Sequence, residues 1–189
     1  MLAVFTGPVR SGKSSRALAL AIDTGKPVII AAGGRPSDPE MERRIACHRE
    51  ERSADITVVE AGPDPSWLAR VPQDACLLVD CLGTLLGTLF EPLIGDGSAC
   101  FTHREEDAVG AAAAAIVEAI AARDGDTVIV TNEVGWGVVP ATPSGRLFRD
   151  IVGRANRTLI DRADCAWLVV DGRCIDLAGA PREVAWPGR

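Results

Sequence analysis

Lysine is nearly missing from this sequence. Of 20 basic residues only Lys13 and Lys26 are lysines, so any role that needs an ammonium group has very few candidates. Basic charge as a whole is also in deficit: 26 acidic residues leave a net charge of −6. A nucleic-acid binder needs a basic stripe to displace counterions, and that class is disfavoured. The six cysteines (Cys47, Cys76, Cys81, Cys100, Cys165, Cys174) include no CxxC pair and no metal-ligand spacing. Most sit in apolar runs, where a thiol behaves as a small hydrophobe, and they read as reduced thiols of a cytosolic protein. No apolar run is long enough to span a bilayer, since Val109–Ala122 is short and interrupted by Glu118. A cleavable leader would remove the first strand and the loop after it, so a cytoplasmic location is expected.

What is present is the composition of one ordinary globular domain. The chain has 189 residues, 47% hydrophobic and 24% charged, with neither repeat nor low-complexity linker. Apolar runs at Leu2–Thr6, Pro27–Ala31, Ile56–Glu60, Ala75–Asp80, Thr127–Thr131 and Ala166–Val170 predict strands, with a further one at Arg173–Leu177. Helical patterns occupy Lys13–Ile22, Asp38–Arg52, Pro65–Arg70, Leu82–Phe90, Arg104–Arg123 and Pro143–Arg162, and Glu91–Thr102 reads as an exposed loop. Strands apolar throughout require a sheet covered on both faces. The alternation predicts an α/β three-layer P-loop NTPase fold with a mostly parallel central sheet, forming a single domain over residues 1–189.

The strongest local signal is Gly7-Pro8-Val9-Arg10-Ser11-Gly12-Lys13-Ser14, which fits GxxxxGK[ST] between an apolar strand and a helix. Its glycines let backbone N–H groups approach phosphate oxygens. Lys13 supplies positive charge at the β- and γ-phosphates, Ser14 suits Mg²⁺, and the following helix adds the positive end of its dipole. Cys76-Leu77-Leu78-Val79-Asp80 is an apolar strand ending in an acid. Asp80 is a candidate metal-linked carboxylate; the other reading is a cap for the next helix.

Two histidines occur, and His103 lies beside the Glu91–Thr102 loop, which marks it as an exposed residue. Helical spacing puts Arg44, His48 and Arg52 on one ridge beside Met41 and Ile45. His48 is then either a packed boundary residue or a neutral imidazole nucleophile flanked by phosphate-binding arginines.

Several blocks occur in a telling order: Arg10-Ser11-Gly12-Lys13-Ser14; Asp38-Pro39-Glu40-Met41 and Arg44-Ile45 leading to His48; Leu78-Val79-Asp80-Cys81; and Asn132-Glu133-Val134-Gly135-Trp136-Gly137. They continue with Phe148-Arg149-Asp150-Ile151 through Asn156, then Trp167-Leu168-Val169-Val170. This series resembles the bifunctional adenosylcobinamide kinase / adenosylcobinamide-phosphate guanylyltransferase family of cobalamin biosynthesis, nearly end to end. The Asn-Glu-Val-Gly-x-Gly block is its most specific part. In this chain Asp80 stands where relatives can have glutamate, Cys47 replaces a polar neighbour, and Arg49-Glu50-Glu51-Arg52 lacks a glycine before its last arginine.

The resemblance implies two reactions. The first moves the γ-phosphate of ATP or GTP to the aminopropanol hydroxyl of adenosylcobinamide. The second passes GMP from GTP through a guanylyl-histidine to give adenosylcobinamide-GDP. It implies catalytic roles for His48 and Lys13. Nucleotide contacts map onto Gly7, Pro8, Val9, Arg10, Ser11, Gly12, Lys13, Ser14, Ala32, Gly33, Gly34, Arg49, Glu50, Glu51, Arg52, Glu60 and Asp80, with Mg²⁺ on Ser14 and Asp80. It also suggests a symmetric homo-oligomer, a trimer being one candidate, with neither nucleic acid nor a membrane span involved. Asn132 and Glu133 are left between the corrin side and a subunit contact. The rival readings are a single-function P-loop kinase with a structural His48, and a nucleotide-sensing protein; the latter is disfavoured because no Asn-Lys-x-Asp motif occurs.

Overall fold

The computed structural model of the chain describes residues 1–33, 56–95 and 101–183. In chain order the elements are β1 (Leu2–Thr6), α1 (Lys13–Asp23), β2 (Val28–Gly33), β3 (Thr57–Ala61), a 3-10 helix (Pro65–Arg70) and β4 (Cys76–Asp80). They continue with α2 (Leu82–Gly87), α3 (Phe90–Ile94), α4 (His103–Ala121), β5 (Thr127–Val130), α5 (Pro143–Arg162), β6 (Cys165–Val170) and β7 (Arg173–Asp176). The strands form one sheet in the order β3-β2-β4-β5-β1-β6-β7. Every pairing is parallel except β6 with β7. The expected α/β layered architecture with a mostly parallel sheet is therefore the observed one.

Alternation along the strands explains the two cores. Leu2, Val4, Leu77, Val79 and Ile129 face one side, where α2, α4 and α5 bury Leu85, Ile116, Ile151 and Leu159 against them. Ala3, Phe5, Leu78, Val128 and Val130 face the other, packing on Ala17 and Ala21 of α1. Because the side-chain period of a strand is two, a run such as Cys76-Leu77-Leu78-Val79 must be apolar at every position to serve both cores.

The expected helix Leu82–Phe90 ends at Gly87, and a second helix starts at Phe90 and runs to Ile94, into the segment expected to be an exposed loop. Thr88 closes α2, its hydroxyl donating to the Leu85 carbonyl at 2.7 Å and its N–H turning back to the last turn. Restarting at Phe90 leaves Pro92 in a first turn, where its missing N–H costs nothing; inside one continuous helix its ring would strike the carbonyl four residues earlier. The segment expected to be helical at Asp38–Arg52 lies outside the described residues. No helix among the described residues is long and apolar enough to cross a membrane.

α4 begins with a reciprocal cap: the Thr102 hydroxyl accepts from the Glu105 N–H while the Glu105 carboxylate accepts from the Thr102 N–H at 2.7 Å. His103, the first residue of α4, is fully exposed and lies 3.6 Å from Glu106. Thr102→Ala is expected to destabilise the protein by about 1 kcal/mol, a cap's usual contribution. In a chain of this size that lowers the thermal midpoint by roughly 2–4 °C. Calorimetry reads it, and an unchanged midpoint would show that the cap contributes nothing.

Candidate active site

Parallel strands deliver their carboxyl ends to one edge of the sheet, and the candidate residues that the structure describes lie along it. β1 runs into the Gly7–Gly12 loop, which opens α1. Gly7 has φ +143, and a Cβ on it would fall on the Val169 carbonyl of β6, so only glycine lets the loop lie this close to the neighbouring strand. Gly12, at φ 93, is the N-cap of α1 and has no capping side chain; the first turn carries no acid either. That helix start keeps its positive dipole end and its N–H groups for an incoming anion.

Lys13 begins α1 and is 6% exposed. Its Nζ donates to the Pro8 carbonyl at 2.6 Å and lies 3.5 Å from Ser11 Oγ. Burial pushes its pKa below the ordinary 10.5, while negative charge at Cys81 and Asp80 pushes it back up. Ser14 Oγ donates to Asp80 Oδ1 at 3.1 Å, joining the phosphate loop to the end of β4. Asp80 is not the cap of α2: Cys81 occupies that position, with no side-chain capping bond. Of the two readings of Asp80, the structure disfavours the cap and puts the carboxylate against the serine.

Ala32, Gly33 and Glu60 form a second group on the same edge. Ala32 is directly opposite Glu60 across the β2–β3 pair. Three strand spacings, roughly 14 Å, separate β2 from β1. Glu60 is on the exposed edge strand, where its backbone carbonyl accepts from Arg70. A Cβ on Gly33 would come within 2.5 Å of Leu85 Cα, so this glycine answers a packing demand of α2 as well as any ligand. Gly34, His48, Arg49, Glu50, Glu51 and Arg52 lie outside the described residues.

Other parts of the site are brought in by the fold, among them Cys81, Asn132 and Glu133 of the family blocks. The turn between β6 and β7 clasps the loop: Gly172 N–H donates to the Ser11 carbonyl at 3.0 Å, and Arg16 donates to the Gly172 carbonyl. Asp171-Gly172, both at positive φ, is the dipeptide of a tight hairpin and was readable as one. Cys81 lies 2.8 Å from Thr84 Oγ1 and 3.8 Å from Asn132 Nδ2. The Glu133 N–H donates to the Gly7 carbonyl at 3.0 Å, which sets the segment after β5 beside the phosphate loop.

The family model described as cobinamide kinase / cobinamide phosphate guanyltransferase matches residues 3–177. The chain belongs to that family. A relative from Escherichia coli K12, the bifunctional adenosylcobalamin biosynthesis protein CobU, is 35% identical over 91% of this chain and 97% of its own. Its namesake from Salmonella typhimurium LT2 is also 35% identical, over 91% and 97%. The Pseudomonas aeruginosa protein CobP is 33% identical over 93% and 96%. Among solved structures, an ATPase of a bacterial type III secretion system superposes with a TM-score of 0.52 at 10% identity, covering 88% of this chain and 50% of that one. That likeness concerns the fold alone.

Lys13 gives this site a testable proton linkage. Its lowered pKa rises again when phosphates replace the lost solvation. Between the lowered free value and the restored bound one, nucleotide binding therefore takes up a proton. Calorimetry in buffers of different ionisation enthalpy should find net uptake approaching about one proton per nucleotide as pH rises through that window. Lys13→Arg should abolish it, because a guanidinium stays protonated. Proton release, or uptake that persists in Lys13→Arg, would assign the linkage to another group.

Proposed function

We propose that this protein is a bifunctional enzyme of cobalamin biosynthesis that phosphorylates the aminopropanol hydroxyl of adenosylcobinamide and then converts the product to adenosylcobinamide-GDP. The observation that carries the reading is the family match across residues 3–177, which spans both the phosphate loop and His48. The geometry of Lys13, Ser14 and Asp80 is the arrangement such chemistry needs.

In the first reaction Gly7–Ser14 holds the triphosphate of ATP or GTP. The acceptor hydroxyl oxygen forms a bond to the γ-phosphorus, the bond to the bridging oxygen breaks, the electron pair leaves with the diphosphate, and the hydroxyl proton passes to solvent. Positioning and charge neutralisation carry most of such a step. Lys13 moves from the Pro8 carbonyl to the phosphates and restores its own charge balance there. Ser14 Oγ and Asp80 Oδ1 are adjacent hard oxygens of the kind Mg²⁺ accepts. Among the described residues no group of three or more acidic, histidine or cysteine side chains could hold a metal alone, which fits an ion shared between protein and phosphates. A Mg²⁺ bound there would supply charge neutralisation at the β- and γ-oxygens.

In the second reaction His48 attacks the α-phosphorus of GTP and pyrophosphate leaves. A phosphate oxygen of adenosylcobinamide phosphate then attacks the same phosphorus, and the P–N bond breaks. A neutral imidazole is a competent nucleophile near pH 7, and the phosphoramidate it forms is labile enough to react again. Ala32, Gly33, Gly34, Glu60 and Arg49–Arg52 are assigned to nucleotide contacts in this reading. The enzyme works in the cytoplasm as a symmetric homo-oligomer, a trimer being the specific state to look for.

Two variants test this reading. Asp80→Asn retains an acceptor for the Ser14 hydroxyl but loses the charge, so the Mg²⁺ concentration for half-maximal rate should rise several-fold with the thermal midpoint little changed. An unaltered Mg²⁺ requirement would detach Asp80 from the metal. His48→Asn should go on phosphorylating adenosylcobinamide, yet take no label from α-labelled GTP and form no adenosylcobinamide-GDP. The wild-type adduct should break down in acid and survive in base, as a phosphoramidate does. Label persisting in His48→Asn would move the nucleophile elsewhere, and an unlabelled but active wild type would leave a kinase alone.

A further inference from the structure

The segment that follows β5 is fixed from both sides. Thr131, fully buried, donates its N–H to the Phe5 carbonyl at 2.9 Å and its hydroxyl to Asn156 Oδ1 at 2.6 Å. Asn156, 7% exposed on α5, donates its Nδ2 to the Asn132 carbonyl at 3.0 Å. The next N–H, of Glu133, goes to the Gly7 carbonyl. Further along the same side of α5, Arg149 donates to the Gly135 and Gly137 carbonyls, and Arg146 to those of Pro140 and Ala141. Positions 146, 149 and 156 are spaced to share a helix face, so α5 acts as a spine for the backbone from 132 to 141.

This bracing holds Asn132 between the end of β4, which its side chain meets, and the phosphate loop, which the next residue's N–H meets at Gly7. β5 lies between β4, which ends in Asp80, and β1, which ends in the phosphate loop. Asn132 emerges from it with Nδ2 3.8 Å from Cys81 Sγ, the residue after the acid. A thiol sulfur is a weak acceptor, so the amide's hydrogen-bonding capacity is largely unused there. We propose that the Asn132 side-chain amide donates a hydrogen bond to the γ-phosphoryl group as it transfers, with Asn156 as the residue that positions it. A preorganised donor at the point where charge redistributes lowers the barrier because it need not reorient during the step. In the balanced transfer given above, Asn132 keeps its protons. It stabilises oxygens of the phosphoryl group while the acceptor bond forms and the bridging bond breaks. The proposal rests on the phosphoryl-transfer reading and assigns to that reaction a residue which the phosphate-loop motif does not contain.

Asn132→Ala tests it. Removing one such donor typically costs about 10²–10³-fold in rate, so kcat for phosphorylation should fall by that order with the nucleotide KM within about threefold. Affinity for ADP should stay unchanged, while affinity for ADP with aluminium fluoride, which mimics the transferring group, should fall by a factor similar to kcat. A kcat within about threefold of wild type overturns the proposal, and so does a parallel loss of ADP affinity, which would mark Asn132 as scaffolding. Asn156→Asp keeps the acceptor for Thr131 but removes the donor to Asn132. It should lower kcat by a smaller factor, and Asn132→Ala combined with it should be no slower than Asn132→Ala alone. Multiplying losses would remove Asn156 from the positioning role. Should Asn156→Asp fail to fold, the Asn132→Ala results still decide the main claim. A wild-type protein that does not phosphorylate cobinamide would refute the kinase reading instead, and the aluminium fluoride comparison would still judge Asn132.

Discussion

A phosphate loop has to be rigid without using up the N–H groups that bind its ligand, and in this protein its carbonyls meet that demand. Those of Gly7, Pro8, Ser11 and Gly12 accept from Glu133, Lys13, Gly172 and Arg16 respectively. The donors come from the segment after β5, from α1 itself and from the β6–β7 turn. Three separate pieces of chain thus converge on one short loop, and each fixes it through its acceptor side. Gly7 completes the arrangement, because only a residue without a Cβ can sit against the Val169 carbonyl. Mutations in the β6–β7 turn can for this reason act on the phosphate site without touching a ligand.

The sheet order follows from the same demand. With β5 placed between β4 and β1, the acid of one strand and the loop of the other approach across a strand whose own tip carries Asn132. Parallel pairing brings all three tips to one edge, where a side chain two residues beyond β5 can reach the space between them. Ala32, Gly33 and Glu60 share that edge but lie strands away from the loop, on the other side of β4. The edge is thereby divided into a phosphate end and a second end that a nucleotide or an acceptor of large span could reach.

The strands and the phosphate loop were legible in the sequence because their signals are local. Leu2–Thr6 is apolar throughout, and glycine, lysine and serine spacing carries the loop chemistry by itself. Asp80 was legible as an acid at a strand end, but its two readings differed only in which neighbour it met, and Ser14 lies 66 residues away. The clasp of Gly172 on Ser11 and the spine of α5 were harder still. They are side-chain or backbone donors meeting backbone carbonyls over long separations, and a carbonyl has no residue type to recognise. Arg149 and Asn156 stood out in the sequence only as members of a family block; their work on the 132–141 backbone appears once α5 is folded against it. The Leu82–Phe90 helix was misjudged because its apolar pattern continues through a break set by Thr88 and by the placement of Pro92.

The scarcity of lysine sharpens the meaning of the one that is buried. Lys13 is 6% exposed, and its cation lies in a space that offers it the Pro8 carbonyl and, farther off, the Ser11 hydroxyl. An ammonium is compact, rotates freely and can be satisfied in turn by a carbonyl or by a phosphate. A guanidinium presents five donors in a rigid fork, most of which would stay unpaired in that space, and an unpaired buried charge is costly. The Pro8 contact therefore holds the cation at an acceptor it can leave. Its exchange for phosphate couples binding to the recovery of a proton affinity that burial had lowered. In a chain where arginine has taken almost every other basic position, the requirement that keeps lysine here is mobility of a single charge inside a nearly closed loop.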